Sequence, residues 1–188
     1  VEGLSEIIYS TPSVYHRGFN TLERILEYFK LTYPRFDEVY AKKLLDIFSL
    51  KPTMRFWSLS QGMASVFHFI CALSTRARLT LLDEPILGMD VASRKKIYEI
   101  LLRDYMEFPR TIIVSSHILS ELEDILSEIL LIDDGQIILY KDIDEVRTIS
   151  YRIDGIEDAV KSFCSNKTVM YSNYNTIHSY AVIEGEYN

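Results

Sequence analysis

The fold is decided by the stretch Leu79-Thr-Leu-Leu-Asp-Glu-Pro-Ile-Leu-Gly-Met-Asp90. Its first four residues, Leu79–Leu82, predict a short buried strand, because the run is too brief for a helix. Two neighbouring carboxylates, Asp83 and Glu84, follow at the C-terminal end of that strand. In an open parallel sheet, this is the end at which ligands bind.

The paired acids leave two interpretations open. Burying two adjacent carboxylates without a partner is very costly, so a cation such as Mg²⁺, which prefers oxygen ligands, would explain them. Otherwise Asp83 and Glu84 are two solvated acids at a strand end. Pro85 and Gly88 then predict a sharp turn, and Asp90 precedes a new helical pattern.

The upstream stretch Ser58-Leu-Ser-Gln-Gly-Met63 predicts a helix start. Ser60 is the expected N-cap of a helix that runs to about Thr75 and buries one apolar face. A helix N-terminus suits a phosphate group, and Gly62 would let the backbone approach a ligand closely. The alternative is an ordinary helix cap with no ligand.

The downstream stretch Thr111-Ile-Ile-Val-Ser-Ser-His117 predicts a second apolar strand, Thr111–Val114, that ends in polar residues. An amphipathic helix, Val91–Met106, separates the two strands, and this order favours a right-handed parallel crossover. We therefore expect the two strands to be parallel neighbours in one sheet. His117 would then lie beside the acids.

Together these stretches resemble the nucleotide-binding domain of ABC transporters. The signature sequence of that family is Leu-Ser-Gly-Gly-Gln. Leu59, Ser60 and Gly62 match it here, whereas Gln61 and Met63 depart from it. The order and spacing of the other motifs also fit the family.

The resemblance extends over roughly Ile7–Arg147. Leu79–Glu84 resembles the Walker B strand, Gly88-Met89-Asp90 the D-loop, and His117 the switch histidine. The fold class it implies is α/β, a partial P-loop NTPase-type parallel sheet with a helical subdomain and a small C-terminal α+β tail. We expect a nucleotide-binding domain over 1–147, with the helical subdomain at about 20–75, and a βαββ appendage over 148–188.

The resemblance implies a role for each site residue. Asp83 would hold Mg²⁺ through its water shell, Glu84 would be the general base toward the attacking water, and His117 would contact the γ-phosphate of ATP. The residues predicted to contact a nucleotide across a head-to-tail dimer, or to shape that dimer, are Ser60, Gln61, Gly62 and Asp90. ATP and Mg²⁺ are the implied cofactors.

The implied partners are a second ATP-binding protomer and a transmembrane permease, on which the helical subdomain would dock. We therefore expect a cytoplasmic protein held at the inner face of the membrane by the permease, where ATP hydrolysis would drive transport. For the aromatic segments Tyr15–Phe19 and Tyr33–Phe36, a core role and a partner surface remain equally open. The transported substrate and the direction of transport do not follow from the sequence.

Two family features are missing. None of the seven glycines is followed by lysine, so the phosphate-binding loop G-x-x-x-x-G-K-[ST] does not occur. We expect the chain to be the C-terminal part of a longer ATPase and to be inactive alone. A non-catalytic interaction or regulatory module, or an ABC-type ATPase outside transport, is the alternative. The Q-loop glutamine is also absent before Gln61, and a hydroxyl of Ser10, Thr11 or Ser13 would have to replace it.

Periodicity predicts the remaining elements. Asn20 and Glu23 form a capping-box pattern at the start of one amphipathic helix. Further helices are expected at Leu119–Ile129, at Ile143–Arg147 and at Asp37–Phe48, the last with an apolar side made of Val39, Leu44, Leu45 and Phe48. Asp134-Gly135, between two apolar runs, predicts a type I′ hairpin.

Composition excludes several classes of protein. The chain has 188 residues, of which 48% are hydrophobic, and this is enough to bury a core. A formal net charge of −7 argues against a general nucleic-acid binder. Cys71 and Cys164 are too few for a disulfide framework. The longest apolar run, Val66–Leu73, is far shorter than the ~20 residues of a membrane span.

Overall fold

A three-stranded parallel sheet forms the centre of the first part of the chain. In this computed structural model, which describes residues 4–12, 18, 20–117, 122, 124–175 and 179–185, the strands are β1 (Ile7–Ser10), β2 (Leu79–Asp83) and β3 (Thr111–Ser115), in the order β1-β2-β3. Asp83 is paired with Ser115. The predicted parallel pairing of the two apolar strands is confirmed.

The chain divides into two compact units, Val1–Leu122 and Glu123–Asn188. The sheet and its helices belong to the first unit, and the hairpin and C-terminal strands belong to the second. The functional boundary that we place at residue 147 stays a prediction. Within the described residues, no helix combines the length and the apolar character needed to cross a membrane.

Helix α1 (Leu22–Thr32) starts later than the capping-box pattern predicts. Thr21 is the N-cap and makes no side-chain capping bond. The N–H groups of Leu22 and Glu23 instead donate to the carbonyls of Met54 and Pro52, each at 3.0 Å. The predicted Asn20 cap is therefore wrong, because loop carbonyls already satisfy the first free N–H groups of the helix.

Helix α2 (Glu38–Ile47) is capped by Asp37, whose side chain accepts a hydrogen bond from the Tyr40 N–H at 2.9 Å. The prediction for its apolar side is wrong at Val39, which is 81% exposed. The residues that α2 buries are Ala41, Leu44 and Leu45. Since a helix buries residues three and four apart, a small alanine takes the place assigned to the valine.

Helix α3 (Gln61–Ser74) is buried at every residue from Ser65 to Ser74. It lies against β1 and β2, so it is surrounded by protein over its last ten residues. His68 is 6% exposed and its ring stacks on Phe56 with a centroid distance of 5.3 Å. His68 is therefore packed among the residues of the first unit.

Helix α4 (Val91–Glu107) is the crossover that connects β2 to β3. Asp90 caps it by accepting the Ser93 N–H at 3.0 Å. Ile97 and Leu101 are buried on its inner face. A helical crossover of this kind is what parallel neighbouring strands require.

A buried ion-pair network secures the far end of α4. The Asp104 side chain, which is 1% exposed, pairs with Arg76 and with Arg110, the latter at 2.6 Å. The Arg76 guanidinium also lies 3.9 Å from the centroid of the Phe108 ring. Asp104 thus connects α4 to the residues that precede β2 and β3.

We expect Asp104→Asn to lower the free energy of unfolding of the first unit by about 3–5 kcal/mol, because two largely buried guanidinium groups would lose their shared carboxylate. Urea unfolding followed by circular dichroism measures the loss. Glu27→Gln is the control, since the Arg24–Glu27 pair is exposed and such pairs contribute little. Equal stability of the two variants would contradict a structural role for Asp104.

The second unit contains the hairpin of β4 (Glu128–Asp133) and β5 (Gln136–Asp142). Asp134 and Gly135 have φ values of 45° and 74°, as the predicted type I′ turn requires. The helix predicted to end at Ile129 is wrong there, because Ile129 pairs with Lys141 in this hairpin. Residues 118–121 and 123 lie outside the described residues.

The chain ends in α5 (Ile143–Ile149), β6 (Ser150–Gly155), α6 (Glu157–Cys164), β7 (Val169–Asn173) and β8 (Ser179–Glu184). The three strands form an antiparallel sheet in the order β6-β8-β7. Its small core consists of Val160, Cys164, Ala181 and Ile183. The predicted βαββ order is confirmed.

Candidate functional site at the carboxyl end of the parallel sheet

The carboxyl ends of the three parallel strands bring several polar side chains together. Tyr9 comes from β1, Asp83 and Glu84 from the end of β2, and Ser115 and His117 from the end of β3. The structure therefore groups three of the predicted site residues, Asp83, Glu84 and His117. This edge of the sheet is the candidate functional site.

Asp83 is held by a hydroxyl on each side. The Ser115 hydroxyl donates to Oδ1 at 2.6 Å, and the Tyr9 hydroxyl donates to Oδ2 at 2.9 Å. These hydrogen bonds, from Ser115 first and then Tyr9, lower the pKa of Asp83. The same contact with Asp83 raises the pKa of Tyr9. Asp83 is thus kept ionised with its carboxylate in a fixed orientation.

Glu84 has an unusual backbone. Its φ is 45°, in the left-handed region that costs a non-glycine residue free energy, on the order of 1–3 kcal/mol. Its N–H donates to the Ser115 carbonyl at 3.2 Å and to the Ser115 hydroxyl at 3.1 Å. These bonds hold the strained turn, and they leave the Glu84 side chain beside the end of β3.

The two carboxylate oxygens of Glu84 differ in their surroundings. Oε1 lies 2.9 Å from Nδ1 of His117. Oε2 is buried and has no hydrogen-bond partner among the residues that the structure describes. A buried carboxylate oxygen without a donor is costly, so this atom marks a place for a ligand or water that donates a proton.

The predicted signature residues form a second group, at the start of α3. Ser60 is the N-cap, as predicted, and its hydroxyl oxygen accepts the Met63 N–H at 3.3 Å. Gly62 lies against the loop after β2, since a Cβ at this position would be 2.6 Å from the Gly88 carbonyl oxygen. Gln61 contacts the same glycine, with its Cγ 3.0 Å from an added Gly88 Cβ.

Gly88 has a φ of 75°, a conformation that favours glycine. One turn further along α3, the Ser65 hydroxyl donates to the Leu87 carbonyl at 2.9 Å. Asp90, predicted to shape a dimer contact, caps α4 in this structure through the N–H and hydroxyl of Ser93. The start of α3 and the turn after β2 therefore fit closely within one chain.

Sequence reasoning missed Tyr9 and Ser115. Both are the kind of residue that a parallel sheet brings to its carboxyl edge, because Tyr9 lies near the end of one strand and Ser115 ends another. Their pairing with Asp83 depends on strand register, which the sequence does not specify. Among the proposed hydroxyl substitutes, Thr11 contributes to lowering the pKa of Asp83, and Ser13 lies outside the described residues.

The donor set suits a magnesium ion held mainly by water and phosphate. Within the described residues, no group of three or more His, Cys, Asp or Glu side chains could hold a metal. Mg²⁺ typically uses only one or two carboxylates together with waters and substrate phosphates. Asp83, ionised and fixed in orientation, fits that role.

We expect Gly62→Ala to lower the free energy of unfolding of the first unit by about 1–3 kcal/mol, because the new Cβ would collide with a backbone carbonyl that cannot move freely. Chemical unfolding of purified protein measures the change. Gly155→Ala is the control, since its Cβ would meet Val160 at an ordinary 3.5 Å. An unchanged stability for Gly62→Ala would show that the turn at Gly88 yields easily.

Comparison with known proteins supports the family resemblance that the sequence motifs indicate. The family model described as "AAA domain, putative AbiEii toxin, Type IV TA system" matches residues 15–123. The chain is 26% identical over 127 residues to the ABC transporter ATP-binding protein YtrB of Bacillus subtilis, covering 68% of this chain and 44% of that protein. It is 32% identical over 111 residues to the uncharacterized ABC transporter ATP-binding protein YcbN of the same species, covering 56% and 35%.

Solved structures show the same fold. An ATP-binding subunit of an ABC transporter superposes with a TM-score of 0.65 at 24% identity, over 76% of this chain and 61% of that one. A dimeric post-hydrolysis structure of the ATP-binding cassette MJ0796, bound to ADP and Pi, gives a TM-score of 0.60 at 17% identity, over 73% and 62%. The chain spans less than half the length of the two curated relatives described above.

Proposed function

The chain belongs to the AAA-domain family of P-loop proteins, and we propose that it is part of an ATP-binding subunit of an ABC transporter. The intact subunit binds ATP and hydrolyses it, and hydrolysis drives transport through a membrane partner. Homologues that are ABC transporter ATP-binding proteins support this proposal. The fold shared with solved ABC ATPase domains supports it further.

The observation that carries the proposal is the environment of Glu84. Oε1 is held by His117, whereas Oε2 is buried and has no described protein donor. A water molecule that donates to Oε2 would lie at the carboxyl edge of the sheet, where a general base could take its proton.

In the proposed mechanism, Asp83 would hold Mg²⁺ through water, and a bound ion would supply positive charge that balances the charge of the phosphate groups. Glu84 accepts the proton of the attacking water. His117 keeps the Glu84 carboxylate in place through Nδ1 and, in the form that carries a hydrogen on both ring nitrogens, donates from Nε2 to the γ-phosphate. Positioning and electrostatic stabilisation of this kind contribute most of the catalysis in phosphoryl transfer.

We assign the second group of residues to contacts between two protomers. Ser60, Gln61 and Gly62 contact the nucleotide that a second protomer holds, and Asp90 shapes the dimer contact. The Ser60 hydroxyl uses an oxygen lone pair for its helix cap, so its proton stays available for a phosphate. A dimer of this kind works at the inner face of the membrane, where it is held by a permease.

We expect Glu84→Gln in the intact ATPase to keep ATP binding and to lower the hydrolysis rate 10²–10⁴-fold, roughly 3–5 kcal/mol of barrier, because glutamine cannot accept the proton. Phosphate release measures the rate, and nucleotide binding is measured separately. Glu99→Gln, on an exposed position of α4, is the matched control. Normal turnover by Glu84→Gln would exclude Glu84 as the base.

The 188-residue chain alone should bind Mg²⁺-ATP only weakly, with a dissociation constant of about 1 mM or higher. Its sequence contains no phosphate-binding loop, and Asp83 and Glu84 repel phosphate. Titration calorimetry tests this expectation. A micromolar constant would reveal a phosphate site elsewhere in the chain, whereas an intact protein that neither binds nor hydrolyses ATP would favour an interaction or regulatory module.

A further inference from the structure

Each strand of the parallel sheet contributes one member to a hydrogen-bonded group around Asp83. Tyr9 on β1 donates to one oxygen at 2.9 Å, and Ser115 on β3 donates to the other at 2.6 Å. We propose that Tyr9 and Ser115, the hydroxyl pair, are positioning residues of the ATPase site. This inference rests on the proposed function and adds two residues to it.

The hydroxyl pair limits what the Asp83 carboxylate can do. The terminal torsion of an aspartate is broad, so a free carboxylate samples many orientations. A donor on each oxygen fixes its plane and leaves about half of its roughly four acceptor positions open. The open positions are then presented in a constant direction, as a water-held metal ion requires.

Ser115 also acts on Glu84. Its hydroxyl donates to Asp83 and accepts the Glu84 N–H at 3.1 Å, and its carbonyl accepts the same N–H at 3.2 Å. That N–H belongs to the residue with φ of 45°. One serine therefore fixes the orientation of one acid and the strained backbone of the other.

The hydroxyl groups of Tyr9 and Ser115 do not need these hydrogen bonds to compensate for loss of contact with water. Tyr9 is 56% exposed, and Ser115 is also exposed, so water could satisfy both hydroxyls. The Asp83 carboxylate is only half-buried and could likewise be solvated. Exposed hydrogen bonds contribute little net stability. These hydrogen bonds therefore serve to orient the two acids rather than to stabilise the fold.

The test uses the intact ATPase that contains this chain, with Tyr9→Phe, Ser115→Ala and Ser115→Thr variants. Electron paramagnetic resonance measures Mn²⁺ binding in the presence of ADP, which is a readout independent of turnover. Loss of an outer-shell partner typically weakens metal affinity 10–100-fold, and we expect this for Tyr9→Phe and Ser115→Ala. Ser115→Thr keeps the hydroxyl and should stay near the wild-type value.

Kinetics separate the two residues. A saturating metal concentration should restore most of the hydrolysis rate of Tyr9→Phe. In the hydrogen bonds described, Tyr9 donates to Asp83 and not to Glu84. The rate of Ser115→Ala should stay low at saturation, because Glu84 loses a contact too. Tyr33→Phe is the matched control, as the Tyr33 hydroxyl donates to the Ile7 carbonyl on the same strand at 3.3 Å.

Wild-type Mn²⁺ affinity in both Tyr9→Phe and Ser115→Ala would overturn the inference. Equal losses in Tyr33→Phe and Ser115→Thr would also overturn it, because they would indicate a general loss of structure, which thermal unfolding would detect. If the wild-type protein showed neither Mn²⁺-ADP binding nor ATP hydrolysis, the proposed function would fail, and this inference with it.

Discussion

The parallel register between β2 and β3 is the constraint on which the site of the first unit depends. It pairs Leu82 with Val114 and Asp83 with Ser115, so that the acid and the hydroxyl end their strands side by side. Side chains alternate between the faces of a sheet, and a slip of one residue would move the whole set to the other face. The hydrogen bonds from Ser115 to Asp83 and from Glu84 to Ser115 exist only in this register.

Packing around the sheet maintains that register. Helix α3 is buried over its last ten residues, and α4 crosses from β2 to β3. Asp104, nearly inaccessible to solvent, pairs with Arg76 just before β2 and Arg110 just before β3. The amino ends of the two strands are thus joined through one carboxylate, and their carboxyl ends are joined through Ser115. Both connections involve a carboxylate that accepts several hydrogen bonds. Hydrogen bonds to an ionised group are stronger than those between neutral groups.

The sequence predicts the sheet and the hairpin well, because their signals are local. Leu79–Leu82 is too short for a helix, and Asp134-Gly135 suits only a tight turn. Prediction from the sequence fails where a contact with a residue distant in the chain determines the local structure. The Asn20 cap is replaced by carbonyls of Pro52 and Met54, and the helix expected to reach Ile129 gives way to pairing with Lys141. Among the site residues, the two acids can be recognised in the sequence as a motif, whereas their hydrogen-bond partners depend on the strand register.

Glu84 combines two features that lower the stability of the fold. A non-glycine residue with φ of 45° conflicts with local preference, and its Oε2 conflicts with the rule that buried polar atoms are paired. Two such conflicts in one residue lower stability, and the bonds to Ser115 offset only the backbone part. Natural proteins keep conflicts of this kind mainly where function requires them. Arg76 has the same two features, a φ of 54° and a buried Nε with no hydrogen-bond partner among the described residues, within the structural ion-pair network of Asp104. The end of β2 differs from it because there the strained turn and the unpaired oxygen coincide with the acids of the sequence motif.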